Sequence, residues 1–108
     1  MSESHLAHMV FFTLHDGTPA KRAALVAACD TYLTGHDGTV HYSAGMRNAE
    51  LARPVNDQQF DVALHVVFSS KAAHDAYQQH PRHLQFIEEN KANWKQVRVF
   101  DSDITPVA

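Results

Sequence analysis

Residues 77–83 read Tyr-Gln-Gln-His-Pro-Arg-His, which places a phenol and two imidazoles around one proline. An imidazole takes up and returns a proton near neutral pH, and a phenol within reach selects which ring nitrogen carries it. His83 with Tyr77 is therefore a candidate acid–base pair. In that role His83 would act as general base on an apolar carbonyl substrate, in an aldol-type cyclisation or an isomerisation. The same residues have a structural reading, in which they fill the gap opened by Pro81 and satisfy backbone groups of a broken helix. His8 shares a strand face with Val10 and Phe12, either as a buried histidine bonded to backbone or as a polar contact at a pocket mouth. A pocket walled by Val10, Phe12, Val62, Leu64 and Val66, with His80 at the kink, would hold an apolar small molecule and exclude water.

Other chemistries are poorly served. A metal centre drawn from His80, His83 and either His74 or His8 lacks an HExxH-like frame and any nearby cysteine, so no metal is expected. No Gly-rich phosphate loop is present and Arg47, Arg53 and Arg82 are scattered, so no cofactor is expected either. Cys29 lies mid-helix on an apolar side and reads as core, not as a nucleophile. As the single cysteine it forms no internal disulfide, which fits a reducing, cytoplasmic setting.

The segment MSESHLAH has neither the basic nor the apolar region of a signal peptide, and no apolar run is long enough to span a membrane. Net charge is -3 with histidines neutral, without a lysine/arginine cluster, which argues against a nucleic-acid partner. Nine histidines would reverse the sign of that charge in mild acid. Exposure is the expected state of His15, His36 and His41.

The 108 residues, 44% of them apolar, suit a single domain spanning 1–108 with its core at about 6–104. Residues 8–14 read as a first strand that ends at a His-Asp-Gly-Thr-Pro turn. Thr18 and Pro19 start a helix over 19–33, with the Thr18 hydroxyl as cap and Gly35 as its close. Residues 39–48 form a second strand in which Gly45 marks a bulge or a close approach of chains. A polar loop over 49–58 leads to the clearest strand, 60–68, where Phe60, Val62, Leu64, Val66 and Phe68 alternate on one face. Its other face carries Asp61, Ala63, His65 and Val67, a mixture that suggests a second layer such as another subunit.

Ser69 or Ser70 caps a helix over 71–79, which Pro81 breaks. A second helical piece over 82–94 sets Leu84, Ile87 and Lys91 along one side, with Trp94 anchoring its end. Residues 97–104 make the last strand. The order β-α-β-β-α-β defines an α+β, ferredoxin-like architecture with a four-stranded antiparallel sheet and helices on one face.

Against that order, several residues together resemble one family. They are His8-x-Val10-x-Phe12, Gly45, Phe60-Asp61 through Phe68-Ser69, Tyr77-x-x-His80-Pro81-x-His83 and Val99-Phe100-Asp101. The pattern is similar to the stress-responsive A/B barrel (Dabb) domains across roughly residues 6–104. The resemblance implies a homodimer whose open sheet faces close a dimeric α+β barrel. The family includes a plant olivetolic acid cyclase, which closes a linear polyketide thioester into an aromatic acid. By that resemblance its catalytic histidine falls on His83, the orienting tyrosine on Tyr77 and a pocket histidine on His8. A further pocket histidine falls on Val62, where this chain has lost the polar group.

Overall fold

The computed structural model describes residues 4–107. Strand β1 (His5–Leu14) buries Leu6, His8, Val10, Phe12 and Leu14 on one face and turns Met9, Phe11 and Thr13 to the other. It starts before residue 8 because His5 and Leu6 find partners in Ile104 and Asp103. Helix α1 (Pro19–Tyr32) opens on a proline preset for its first turn, and Thr18 is extended before it. The Thr18 hydroxyl does not cap the helix. Instead the Thr18 amide donates to Asp16 Oδ1 at 3.2 Å, which turns the loop into the helix.

Two glycines carry the chain out of α1 with left-handed backbone, Gly35 at φ +74° and Gly38 at φ +82°. Strand β2 (Thr39–Met46) ends short of residue 48. Gly45 makes no bulge; the register shift falls between Thr39 and His41, and no atom approaches the Gly45 face within 4 Å. Strand β3 (Val62–Phe68) begins after Phe60, because the Asp61 carboxylate accepts from the Leu14 amide at 2.8 Å and pins the approach. Phe60 is consequently not in line with the buried face of β3. It packs edge-on against Phe11, ring centroids 5.1 Å apart, on the opposite side of the sheet.

Helix α2 (Lys71–Gln79) is capped by Ser70, whose hydroxyl accepts from the Ala73 amide at 3.1 Å. His80 is extended, as expected of a residue before proline, and helix α3 (Pro81–Asn90) restarts at once. A 3-10 turn (Lys91–Asn93) leads into strand β4 (Trp94–Ile104). Trp94 thus opens a strand. Along α3 the buried residues are His83 and Phe86, while Leu84 is 49% exposed, because α3 turns that stripe toward α1 and the sheet. The expected Leu84–Ile87–Lys91 face is corrected accordingly.

All neighbouring strands are antiparallel, in the order β2-β3-β1-β4. The helices cover one face: α1 lies over β2 and β3, and α2 reaches β1 and β3. The core between them includes Leu25, Cys29 and Leu33 from α1, and Val62, Leu64, Val66 and Phe68 from β3. His65 lies on the uncovered face near Phe11, as its position in the alternation requires. No helix among the described residues is long and apolar enough to cross a membrane.

Candidate functional site

Helix coverage thins toward the edge strand. Beyond Trp94, which packs on Phe86 of α3, β4 is only thinly covered, and Val97 and Val99 remain 39% and 48% exposed although they face the helix side. The antiparallel register sets Val97 opposite Phe12, Val99 opposite Val10 and Asp101 opposite His8. Opposed residues share a face, so these six side chains form one wall. Across from them α2 contributes His74, Tyr77 and Gln78, spaced to lie on one side of a helix, and α3 contributes His83, Phe86 and Ile87. Leu33, Leu64 and Trp94 complete a cavity of about 310 Å³.

The cavity has an aromatic end and an imidazole end. At the first, Trp94 packs against Phe12 and Phe86 with ring centroids 5.0 and 5.6 Å away. At the second, His8 Nδ1 lies 2.5 Å from Asp101 Oδ1. With the ionised carboxylate accepting, the proton resides on Nδ1 and the Nε2 lone pair is directed elsewhere. The Gln78 amide nitrogen is 3.5 Å from that Nε2. The His74 ring lies edge-on to His8 at 4.9 Å, and the Tyr77 ring packs on His83 at 4.6 Å.

Tyr77 and His83 are together, but they touch as rings. The Tyr77 hydroxyl and His83 Nδ1 are both buried without a hydrogen-bond partner. The same holds for His74 Nε2 and Trp94 Nε1. Four residues that line this one cavity therefore each hold a buried, unpaired polar atom beside it, and others among the described residues (Arg22 Nε, Thr39 Oγ1 and Arg98 Nε) lie elsewhere.

Burial sets the protonation of the site. It depresses His83 to about 4, assisted by the fields of His8 and His36, so the ring is neutral at pH 7. Burial also lowers His8, outweighing the opposing pull of Asp101. The Tyr77 phenol is raised by burial and stays protonated. Two neutral imidazoles and a phenol thus face one space.

Over residues 6–104 the chain matches the stress responsive A/B barrel domain. The chain belongs to the Dabb family. Among solved structures, a Dabb protein with a ferredoxin-like fold from Mesorhizobium loti is 20% identical, with TM-score 0.74 over 98% of this chain and 100% of that one. A dimeric ferredoxin-like protein from Thermobifida fusca is 18% identical, with TM-score 0.78 over 94% and 92%. A hydroxynitrile lyase from Passiflora edulis is 17% identical, with TM-score 0.76 over 98% of both chains. No curated protein matches the chain.

Of the residues singled out in this Dabb sequence, His8, Val10, Phe12, Leu64, Tyr77 and His83 line the cavity. Val62 and Val66 do not. Both are fully buried on β3, which β1 separates from the open edge strand β4. His80 is also outside: it is exposed, and its Nδ1 accepts from the Arg82 amide at 3.1 Å to cap α3. His36, expected at the surface, is 8% exposed. The left-handed turn at Gly35 folds it back, so that Nε2 lies 2.8 Å from the Tyr32 carbonyl and the ring packs on Tyr77 at 4.9 Å.

Asp101, Gln78 and Trp94 were not recognised as site residues from sequence, and His74 was weighed only as a metal ligand beside His80 and His83. His74 and Gln78 carried a usable signal, since they sit three before and one after Tyr77 on an amphipathic helix. Asp101 entered only as part of the family pattern Val99-Phe100-Asp101, and its pairing with His8 spans 93 residues of chain.

Proposed function

We propose that the protein is a homodimeric small-molecule-binding protein whose cavity takes a compact ligand with an apolar body and a polar head, and transfers a proton on it. The single observation carrying this reading is the set of four buried, unpaired polar atoms around one apolar cavity. About 310 Å³ is at the lower end of ligand pockets, which suits an aryl or short alkyl carbonyl compound. Its apolar part would lie against Trp94, Phe12 and Phe86.

The His8–Asp101 pair supports a refined assignment of roles. His83, neutral down to about pH 4, is a weak base. His8 is held by a carboxylate that favours its protonated form, so it is the better acceptor. His8 Nε2 would remove a proton from the carbon beside the carbonyl. The Tyr77 hydroxyl and His83 would stabilise the charge that moves to oxygen. Return of the proton to a different carbon is an isomerisation; attack of the enolate on a second carbonyl is an aldol closure.

Dimer formation is supported by the uncovered sheet face, where Phe11, Phe60 and Phe100 cluster with ring centroids 5.1 and 5.8 Å from Phe11, and by a dimeric ferredoxin-like relative. A thermal-shift screen of small aryl and alkyl ketones, followed by a structure with the best ligand, tests the binding reading. The expected ligand oxygen lies within hydrogen-bonding distance of Tyr77 Oη or His83. A ligand-bound structure in which side chains fill the cavity, and the compound sits elsewhere, would remove it.

A further inference from the structure

His74 has no part in that proton transfer, yet its ring is prepared as a metal ligand. Its Nδ1 is 3.1 Å from Asp75 Oδ1, while Nε2 is buried and unpaired. A carboxylate accepting from one ring nitrogen fixes the tautomer and aims the lone pair of the other, as outer-shell carboxylates do for metal-bound histidines. One ring nitrogen each from His8 and His74 and one Asp101 oxygen lie within 4.8 Å of one another.

We propose that His8, His74 and Asp101 bind a divalent transition-metal ion, with zinc(II) as the best match to two imidazoles and one carboxylate. Four-coordinate zinc has bonds of about 2.0–2.2 Å, so its ligand atoms stand about 3.3 Å apart. Small side-chain rotations bring the three donors to that spacing. The contact between His8 and Asp101, now bridged by a proton at 2.5 Å, opens by under an ångström as the metal replaces that proton. Two of the donors are set by secondary structure, since the β1–β4 register opposes His8 and Asp101. The third sits on the first turn of α2, where the Ser70 cap holds the helix start.

Exposure is graded across the cluster. The His8 and His74 side chains are 6% and 15% exposed and Asp101 is 44% exposed, so an ion reaches the site along the β4 edge. Three protein donors leave one coordination position toward the cavity, for water or a ligand oxygen. With the ion on His8 Nδ1 the ring carries its proton on Nε2, so neither the Nε2 lone pair nor the Asp101 carboxylate is free for the proton transfer. Zinc therefore inhibits that reaction.

Calorimetric titration of chelator-treated protein with zinc chloride, without any substrate, tests the site directly. Wild type is expected to bind one ion per chain with micromolar or tighter affinity. His74→Gln should weaken binding more than tenfold, and Asp75→Asn, which leaves all three donors in place, about tenfold. His15→Gln, at an exposed turn histidine, should leave binding unchanged. If His74→Gln does not fold, Asp75→Asn decides, since its side chain is half exposed. No binding, equal affinity in wild type and Asp75→Asn, or a loss on His15→Gln would overturn the assignment. Zinc binding in a protein that takes no ketone would leave this site standing while removing the proton-transfer reading.

Discussion

Tyr77 illustrates how a single side chain divides its work. Its ring packs on Phe68, His36 and His83, whereas its hydroxyl has no partner. Tyr77→Phe keeps the packing and removes a buried unpaired group, so stability should hold or rise by about 1 kcal/mol in urea denaturation. Ligand affinity or turnover should fall at the same time. A stability loss above about 1 kcal/mol would show that the hydroxyl serves the fold. Asp101→Asn removes the charge that favours protonation of His8, and kcat should drop about 100-fold with KM little changed. Cys29 gives a control on the core. It is fully buried and its thiol is pushed up to about 12, so a thiol reagent should label it only as the protein unfolds.

The elements meet through a few crowded junctions, of which Gly38 is the tightest. A Cβ there would stand 2.4 Å from Ala73 Cβ, on a backbone at φ +82°. Gly38→Ala combines left-handed strain with overpacking against α2, for an expected cost of roughly 2–4 kcal/mol. Gly35→Ala meets open space at φ +74° and should cost only about 1–2 kcal/mol. Equal melting temperatures for the two variants would refute the packing account. Nearby, Arg82 donates to the Thr31 and Thr34 carbonyls at 2.9 Å each, closing the C-terminal end of α1 from the start of α3. The broken α2–α3 helix was legible from Pro81, because missing an amide is a property of one residue. The burial of His36 was not, since it follows from where the Gly35 turn points.

For the whole molecule, the depressed histidines predict acid sensitivity. Burial lowers His83 to about 4 and also lowers His36, whereas an unfolded histidine titrates near 6.5. The unfolded chain therefore binds protons first as pH falls. Stability is full above about pH 6.5 and declines toward pH 4, by on the order of 3 kcal/mol from His83 alone. Urea midpoints measured across that window should fall together with pH, and a flat profile would contradict the burial of both rings. The proposed dimer predicts a particle of about 24 kDa, twice the chain's 12.1 kDa, by light scattering. Phe100→Asp should reduce it to the single-chain mass, because Phe100 is 52% exposed on the uncovered face. A 12.1 kDa wild-type particle would exclude the dimer.

Local rules sufficed for the strand and helix order, the helix break at Pro81 and the two-faced third strand, because periodicity and proline chemistry act within a few residues. They also brought His8, Tyr77 and His83 forward as a set, with the family pattern assigning them to one pocket. Tertiary structure alone decided how that set is wired. It gave the hydrogen bond to an imidazole to Asp101 rather than Tyr77, left Val62, Val66 and His80 off the cavity, and turned His74 toward His8. The physical reason is register. A side chain's partner across a sheet is fixed by the cumulative alignment of β1 and β4, separated by most of the chain, and no local pattern encodes that sum.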